Sequence, residues 1–439
     1  MTVSGLDLWG GAECTVNRVG DRTYDQFELT GHGARLDDLD RFAAMGLRTL
    51  RVALPWERIE TEPGVRDWSW ADAMMERLVA LGIHPIVGLV HHGSGPRWTD
   101  LTQSSFVDGL ARHAAQVAGR YPWVEDWTPV NEPLTTARFS CLYGLWHPHL
   151  TDEAAFWNAL LIQIEATREA MREIRRIRPS ARLIQTEDYG VTSSTRPCAD
   201  QAGFENHRRL MTWDLLCGRV DADHPLFPYL AGLGLADRLA AIRRCPTPPD
   251  VIGLNHYVTS DRFLDHRLDR YPAHLHGGND RLAYADTEAV RVLPAWTPAW
   301  RDDLEALHGR YGRPVAVTEC HLGCDPVQQT AWLHQCWTAA LEARDAGIPV
   351  QAVTVWALAG SVGWDRLLTA DNGRYEAGCL DASRSGAPET VLADAVRRLA
   401  AGEALQTTAG WWNRPDRLTP PHLPSPRVPA PRLPDALVA

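Results

Sequence analysis

Trp127-Thr128-Pro129-Val130-Asn131-Glu132-Pro133 decides how this chain of 439 residues is read. An apolar segment over residues 123–130 runs into an amide and a carboxylate and stops at a proline. That pattern reads as a buried strand whose carboxyl end presents Asn131 and Glu132 side by side. A loop glutamate before a turn-forming proline would explain the stretch equally well if it stood alone. A second segment, Val315-Ala316-Val317-Thr318-Glu319, ends the same way and favours the strand. In a parallel α/β barrel, the carboxyl ends of strands are where catalytic groups sit.

Working outward, short apolar runs alternate with longer helical patterns. Strands are expected at residues 6–12, 47–54, 83–90, 124–130, 181–186, 251–257, 315–319 and 350–358. Helical periodicity follows each of them, at residues 34–45, 70–81, 104–120, 153–177, 205–241, 299–311, 326–346 and 390–401. A long irregular loop is expected between the sixth strand and the helix at 299. Eight strand-then-helix units give the (β/α)8 TIM barrel count, in the α/β class. A doubly wound sheet would carry a Gly-rich first turn, and no G-x-G-x-x-G is present. The expected division is one barrel over residues 1–409 and a Pro-rich tail over 410–439. Residues 415–434 hold eight prolines and no helical or strand period, so the tail is read as extended or disordered, with Trp411 and Trp412 as its docking side chains.

Composition removes several functions. A net charge of −11 argues against a nucleic-acid partner. All 44 basic residues are Arg, which excludes Lys-based Schiff-base and P-loop chemistry. The nine cysteines are scattered without a C-x-x-C pair, which fits reduced thiols and a cytoplasmic location. Met1-Thr2-Val3-Ser4 has no signal-peptide character and no apolar run reaches membrane-spanning length, so no membrane partner is expected.

The strand ends inventory the barrel mouth: Glu13 and Asn17, Arg51, His91 and His92, Asn131 and Glu132, Glu187 and Asp188, Asn255 and Tyr257, Glu319, and Trp356 with Trp364 and Asp365. Glycosidic-bond cleavage needs two carboxyl groups in different protonation states about one acetal carbon. Glu132 and Glu319, on strands four and seven, would face each other across a sugar. Asn131 suits a bond to the sugar's 2-hydroxyl, and Arg51 is expected to lower the pKa of Glu319. Tyr257 would donate to the same carboxylate, and Trp356 would form an apolar floor. His91 and His92 are read as sugar-binding in preference to metal ligands, because no H-x-H stands on strand one. No metal or cofactor is expected. Glu187 and Asp188 are read as wall residues or Arg partners, His147 as a loop residue within reach of a substrate, and Trp296 and Trp300 as either an outer subsite or core.

These residues resemble family 1 glycoside hydrolases, β-glucosidase-like barrels with glutamates on strands four and seven. Thr128 to Pro133 is similar to T-x-N-E-P with one extra residue, Val317-Thr318-Glu319 to T-E-N-G, and Trp9-Gly10-Gly11-Ala12 to W-G-x-A. Leu50-Arg51-Val52 resembles Y-R-F, Gly253 to Tyr257 G-x-N-Y-Y, and Trp356-Ala357-Leu358 W-S-L. The resemblance covers about residues 6–400 and implies a retaining β-glycosidase with Glu132 as acid/base and Glu319 as nucleophile. There are departures. Gly363 stands where the family's Glu grips O4 and O6, Asn17 replaces a Gln, and Cys320-His321 follows Glu319. They imply a non-glucose or modified sugar, with Glu13, Glu187 and Asp365 as a replacement clamp. Transglycosylation by the same glutamates, with Trp296 or Trp300 holding the acceptor, is one alternative. A sugar-binding pseudoenzyme is another. Residues 255–260 with Trp364-Asp365 resemble bacterial family 1-like domains fused to dTDP-4-dehydrorhamnose reductase, which implies a sugar-nucleotide reductase as a partner.

Overall fold

The computed structural model describes residues 5–370, 372–406 and 409–419. Eight parallel strands close into one barrel: β1 (Asp7–Gly11), β2 (Thr49–Ala53), β3 (His84–His91), β4 (Asp126–Asn131), β5 (Arg182–Asp188), β6 (Val251–His256), β7 (Val315–Cys320) and β8 (Val350–Val355). Each strand pairs with the next in sequence and β8 closes on β1. β4, β6 and β7 are buried along their whole length, as strands covered by helices outside and packed side chains inside must be. The barrel interior is filled by Trp9, Ile86, Ile184, Val251, Ala316 and Ala352, so the barrel is a core and not a pore. The helix at Glu153–Ile177 begins where Asp152 accepts from the amide of Ala155 and packs against Ser105–Arg120.

Two irregularities in the barrel wall shape its mouth. β4 and β5 share only the pairs Asp126↔Arg182 and Trp127↔Leu183. Above these, side chains replace the ladder: the Thr128 hydroxyl donates to the Ile184 carbonyl at 2.8 Å, and the Gln185 amide to the Val130 carbonyl at 2.9 Å. β7 carries a bulge against β6, where Val317 pairs with Leu254 but Glu319 with Asn255. A bulge re-aims the residues that follow it. Here it places Glu319 beside Asn255, and the Thr318 hydroxyl donates to the Asn255 side-chain oxygen at 2.7 Å.

The stretch after β6 is not the irregular loop read from the sequence. Arg262–Asp265, His276–Gly278 and Ala283–Glu288 join Thr192–Ser194, from the loop after β5, in a four-stranded sheet. Its strands are three to six residues long and polar, too short to carry a clear period. A hairpin at Val16–Val19 and Arg22–Asp25 follows β1. Just beyond it, the Gln26 side chain both donates to and accepts from the backbone of Val362, tying this region to the loop after β8.

Residues 409–419 pack on the barrel. Trp412 is buried, meets Trp332 edge-on at 5.0 Å and donates to Gln335 at 2.8 Å. Arg417 is buried and donates to the carbonyls of Val290, Leu293 and Pro294. The rest of the expected Pro-rich tail, from residue 420, lies outside the described residues. Among the described residues, no helix is long and apolar enough to cross a membrane.

Candidate active site

Glu132 follows the last residue of β4 with φ +44°, a left-handed conformation unusual for a residue with a side chain. It opens the short helix Pro133–Ala137. Glu187, at the end of β5, accepts from the Leu134 amide at 2.8 Å and the Thr135 amide at 3.2 Å, and from the Thr212 hydroxyl at 2.6 Å. A buried carboxylate therefore anchors the turn that aims Glu132, and such backbone strain persists only where the surroundings hold it. The Asn255 amide donates to Glu132 from β6. Burial, then the charges of Glu319, Glu187 and Asp188, push the Glu132 carboxyl well above the ordinary range.

Glu319 is equally buried but differently supported. Arg51 donates to one of its oxygens at 2.8 Å, and the Tyr257 hydroxyl donates to the other. Burial raises this carboxyl, and Arg51 lowers it as the sequence predicts but, together with Tyr257, pulls it only part of the way back. Glu132 has no comparable cation and is raised further. Of the two, Glu319 is the first to ionise and Glu132 the one that keeps its proton, the division that paired-carboxylate chemistry requires.

Asn131 is the hub between them. Its side-chain oxygen accepts from Arg51 at 2.9 Å and Thr186 at 2.7 Å, which fixes the other terminal atom as nitrogen. That nitrogen lies 3.3 Å from Nε2 of both His91 and His92, so both rings accept there and carry their proton on Nδ1. The Nδ1 protons face Cys14 Sγ at 3.2 Å and Thr136 Oγ1 at 3.1 Å. Burial pushes both imidazoles down, His91 well below its usual value and His92 to about 3, and they are neutral. With the ring nitrogens committed inside the protein, the rings offer mainly apolar surface. His91 stacks on Trp356 at 5.7 Å, and His92 packs against Trp146 at 5.3 Å and Trp364 at 5.5 Å. Trp356 lies under Arg51, whose guanidinium carbon is 4.9 Å from the ring centre.

The remaining expected residues divide. Glu13 is buried near Glu319 and Trp356 and accepts from the amides of Cys14 and Thr15; burial raises its carboxyl. Asn17 is buried on the hairpin after β1; its oxygen accepts from the Arg18 amide at 2.6 Å and its amide nitrogen has no partner. The Trp364 indole N–H also lacks a partner. Asp365 is not part of this group: it is exposed and accepts from Asn372 at 2.7 Å, because the turn after Gly363 carries it outward. Asp188 accepts from Ser260 and lies 3.6 Å from Arg209. Trp300 is buried against His256 and Trp332, and Trp296 is buried and donates to Asp261, so both belong to the hydrophobic core. His147 pairs with Asp100 at 3.5 Å. Cys14, Thr136, Thr186 and Trp146 escaped the sequence reading. Only Trp146 left a signal there, as an indole closing the apolar stretch Leu142 to Trp146 after β4. Among the described residues, no group of three or more His, Cys, Asp or Glu side chains could hold a metal ion.

The family model described as "Glycosyl hydrolase family 1" matches residues 23–213. The chain is 24% identical over 386 residues to a 6-phospho-beta-glucosidase of Dickeya chrysanthemi, covering 78% of this chain and 79% of that protein. It is 22% identical over 390 residues to a phospho-cellobiase of Klebsiella oxytoca, covering 81% and 82%. Among solved structures it resembles the family 1 b-glucosidase from Thermotoga maritima in complex with isofagomine lactam, with a TM-score of 0.71 and 17% identity over 86% of this chain and 88% of that one. At such identity, the structural likeness speaks for the fold alone.

Proposed function

We propose that this glycoside hydrolase, with its family 1 segment at residues 23–213, is a retaining β-glycosidase working by double displacement. The observation that carries the reading is the unequal support of two buried glutamates: a cation and a phenol on Glu319, neighbouring carboxylates on Glu132. Glu319 attacks the anomeric carbon while Glu132 gives its proton to the leaving oxygen. Glu132 then takes a proton from water as that water displaces Glu319 from the sugar. Glu319→Gln should abolish turnover. Glu132→Ala should spare substrates with good leaving groups and cripple poor ones. Full activity of Glu319→Gln, or no turnover of any aryl glycoside by a chain that still binds sugar, would count against the reading and favour a sugar-binding protein.

For the sugar, we propose one modified at C6, a 6-deoxy sugar in the simplest case. Gly363 supplies no carboxylate where the family resemblance calls for one, and His92, Trp146 and Trp364 bring apolar rings to that side. The unpartnered amide of Asn17 and indole N–H of Trp364 support acceptor oxygens elsewhere on the ring, since each such group costs about 1–3 kcal/mol while unsatisfied. The relatives' names favour a second reading, a 6-phosphoglycoside. A panel of aryl β-glycosides that includes 6-deoxy, 6-hydroxy and 6-phospho sugars decides between them. The cytoplasmic location and the reductase partner remain part of the proposal, and co-purification of such a reductase with the tagged full chain tests the latter.

A further inference from the structure

His321 stands two residues beyond Glu319, at a departure from the family motif that the double displacement leaves unused. Its ring lies just past the end of β7, with Nδ1 2.9 Å from the Trp356 carbonyl and Nε2 3.3 Å from a carboxylate oxygen of Glu376. Glu376 reaches this place from the loop after β8, where Tyr375–Glu376 pairs with Ser361–Val362 in a two-stranded ribbon. The Tyr375 hydroxyl fastens that ribbon, 3.0 Å from the Ala359 carbonyl and accepting from the Ala382 amide at 2.8 Å. Gly323 leaves room for the carboxylate, since a Cβ there would lie 3.2 Å from one of its oxygens. Burial would raise the Glu376 carboxyl, but the bond and charge of His321, with the charge of Arg374, hold it below the ordinary range. A carbonyl and an ionised carboxylate only accept, so both nitrogens of His321 donate and the ring is an imidazolium.

Two contacts lead from this ring to the groups that hold Glu319. It meets Tyr257 edge-on with ring centres 6.3 Å apart, and the Tyr257 hydroxyl donates to Glu319. The carbonyl it grips belongs to Trp356, whose indole lies 4.9 Å from the guanidinium carbon of Arg51, the other donor to Glu319. With both nitrogens committed, His321 has no donor left for a sugar and acts through these neighbours. The charged and titratable groups around the pair are Glu319 on β7, Arg51 on β2, Tyr257 after β6, Arg374 beside Glu376 and the Cys324 thiol. We propose that His321 and Glu376 are positioning residues for Glu319, an imidazolium clamped by a carboxylate that braces Tyr257 and Trp356 and supplies a second cation, after Arg51, to favour the ionised nucleophile. The inference rests on Glu319 as the nucleophile.

The test labels the glutamate carboxyls of the full chain with carbon-13 and identifies the Glu319 signal by its loss in Glu319→Gln. In His321→Asn, which keeps a donor for the Trp356 carbonyl but carries no charge, the Glu319 midpoint should rise by about one pH unit, a tenfold change in its ionisation constant. The acid limb of kcat/KM should move up with it. His321→Lys, which returns a cation opposite Glu376, should recover part of the shift, as a merely structural role would not. Nitrogen-15 spectra of the unsubstituted chain at pH 6 should show both His321 nitrogens protonated, and Glu376→Gln should bring the loss of one proton to lower pH. A Glu319 midpoint unmoved in folded His321→Asn would overturn the proposal. So would a singly protonated His321 at pH 6, or an imidazole that titrates as before in Glu376→Gln. A failure of the glycosidase reading would show separately, as aryl glycosides that are not turned over while the Glu319 midpoint still moves.

Discussion

Arg51→Met separates the two glutamates most cleanly. Arg51 is 6% exposed and donates to Glu319 at 2.8 Å, to the Thr318 carbonyl at 2.6 Å and to Asn131 at 2.9 Å. Removing a cation at this distance should raise the Glu319 carboxyl by roughly 1–3 pH units. That corresponds to about 1.4–4 kcal/mol of lost preference for the ionised form. The proposed double displacement needs Glu319 ionised, so the acid limb of kcat/KM against pH should move up by that amount. The alkaline limb, set by Glu132 beside an already ionised Glu319, should not move down, so the bell should narrow from its acid side. Stability carries the same sign. The folded pKa of Glu319 moves further above its unfolded value, so the added destabilisation is absent below the unfolded value near 4.5 and grows as pH rises through the folded one. It should approach the same roughly 1.4–4 kcal/mol once pH exceeds the variant's folded value. The assay is kcat/KM from pH 4 to 9 on an aryl glycoside with a good leaving group, with Tm at pH 4 and pH 8. An acid limb that stays put or moves down would refute the reasoning, as would a Tm loss no larger at pH 8.

Three further outcomes follow from the same geometry. Glu187→Gln removes a charge that holds Glu132 up, so the alkaline limb of kcat/KM should shift down by about one unit or less, read from the same pH series. Glu57, raised to about 7 by burial with one oxygen unpartnered, should cost about 3 kcal/mol at pH 8 and nothing near pH 4. The Tm of Glu57→Gln, which keeps an acceptor for the Gly95 amide, should accordingly gain on the unsubstituted chain as pH rises. Trp412→Ala should lower stability by about 3–5 kcal/mol without changing KM, measured by denaturant unfolding beside steady-state kinetics, because its indole is buried against Trp332 and bonds Gln335, neither of which is a residue of the site.

The barrel was legible because its strands are buried on both faces and its helices keep a clear period. The helix at Glu153–Ile177 matches the residues its periodicity picks out. The glutamates, Arg51, Asn131 and Tyr257 were legible because each stands at a strand end, and the strand ends converge. What sequence leaves out is the outcome of competing terms. Arg51 beside Glu319 predicts a lowered carboxyl, and only the depth of burial reveals that desolvation wins. Asp365 follows the turn at Gly363, whose φ of +78° sends the chain to solvent, and a residue string does not carry that direction. Trp296 and Trp300 look alike as core or subsite until their neighbours are known. The commitment of His91 and His92 to Asn131 depends on Cys14 and Thr136, which lie 77 and 44 residues from their partners. The four-stranded sheet was hidden because its pairings join separate loops through short polar strands.

The most direct test of the central claim is the trapping of the enzyme with an activated 2-deoxy-2-fluoro β-glycoside of a sugar whose aryl glycoside it hydrolyses, followed by peptide mass spectrometry. A covalent fluoro-sugar on Glu319 is the predicted result. A label on any other residue, or no label alongside a product released with inverted configuration, would contradict it.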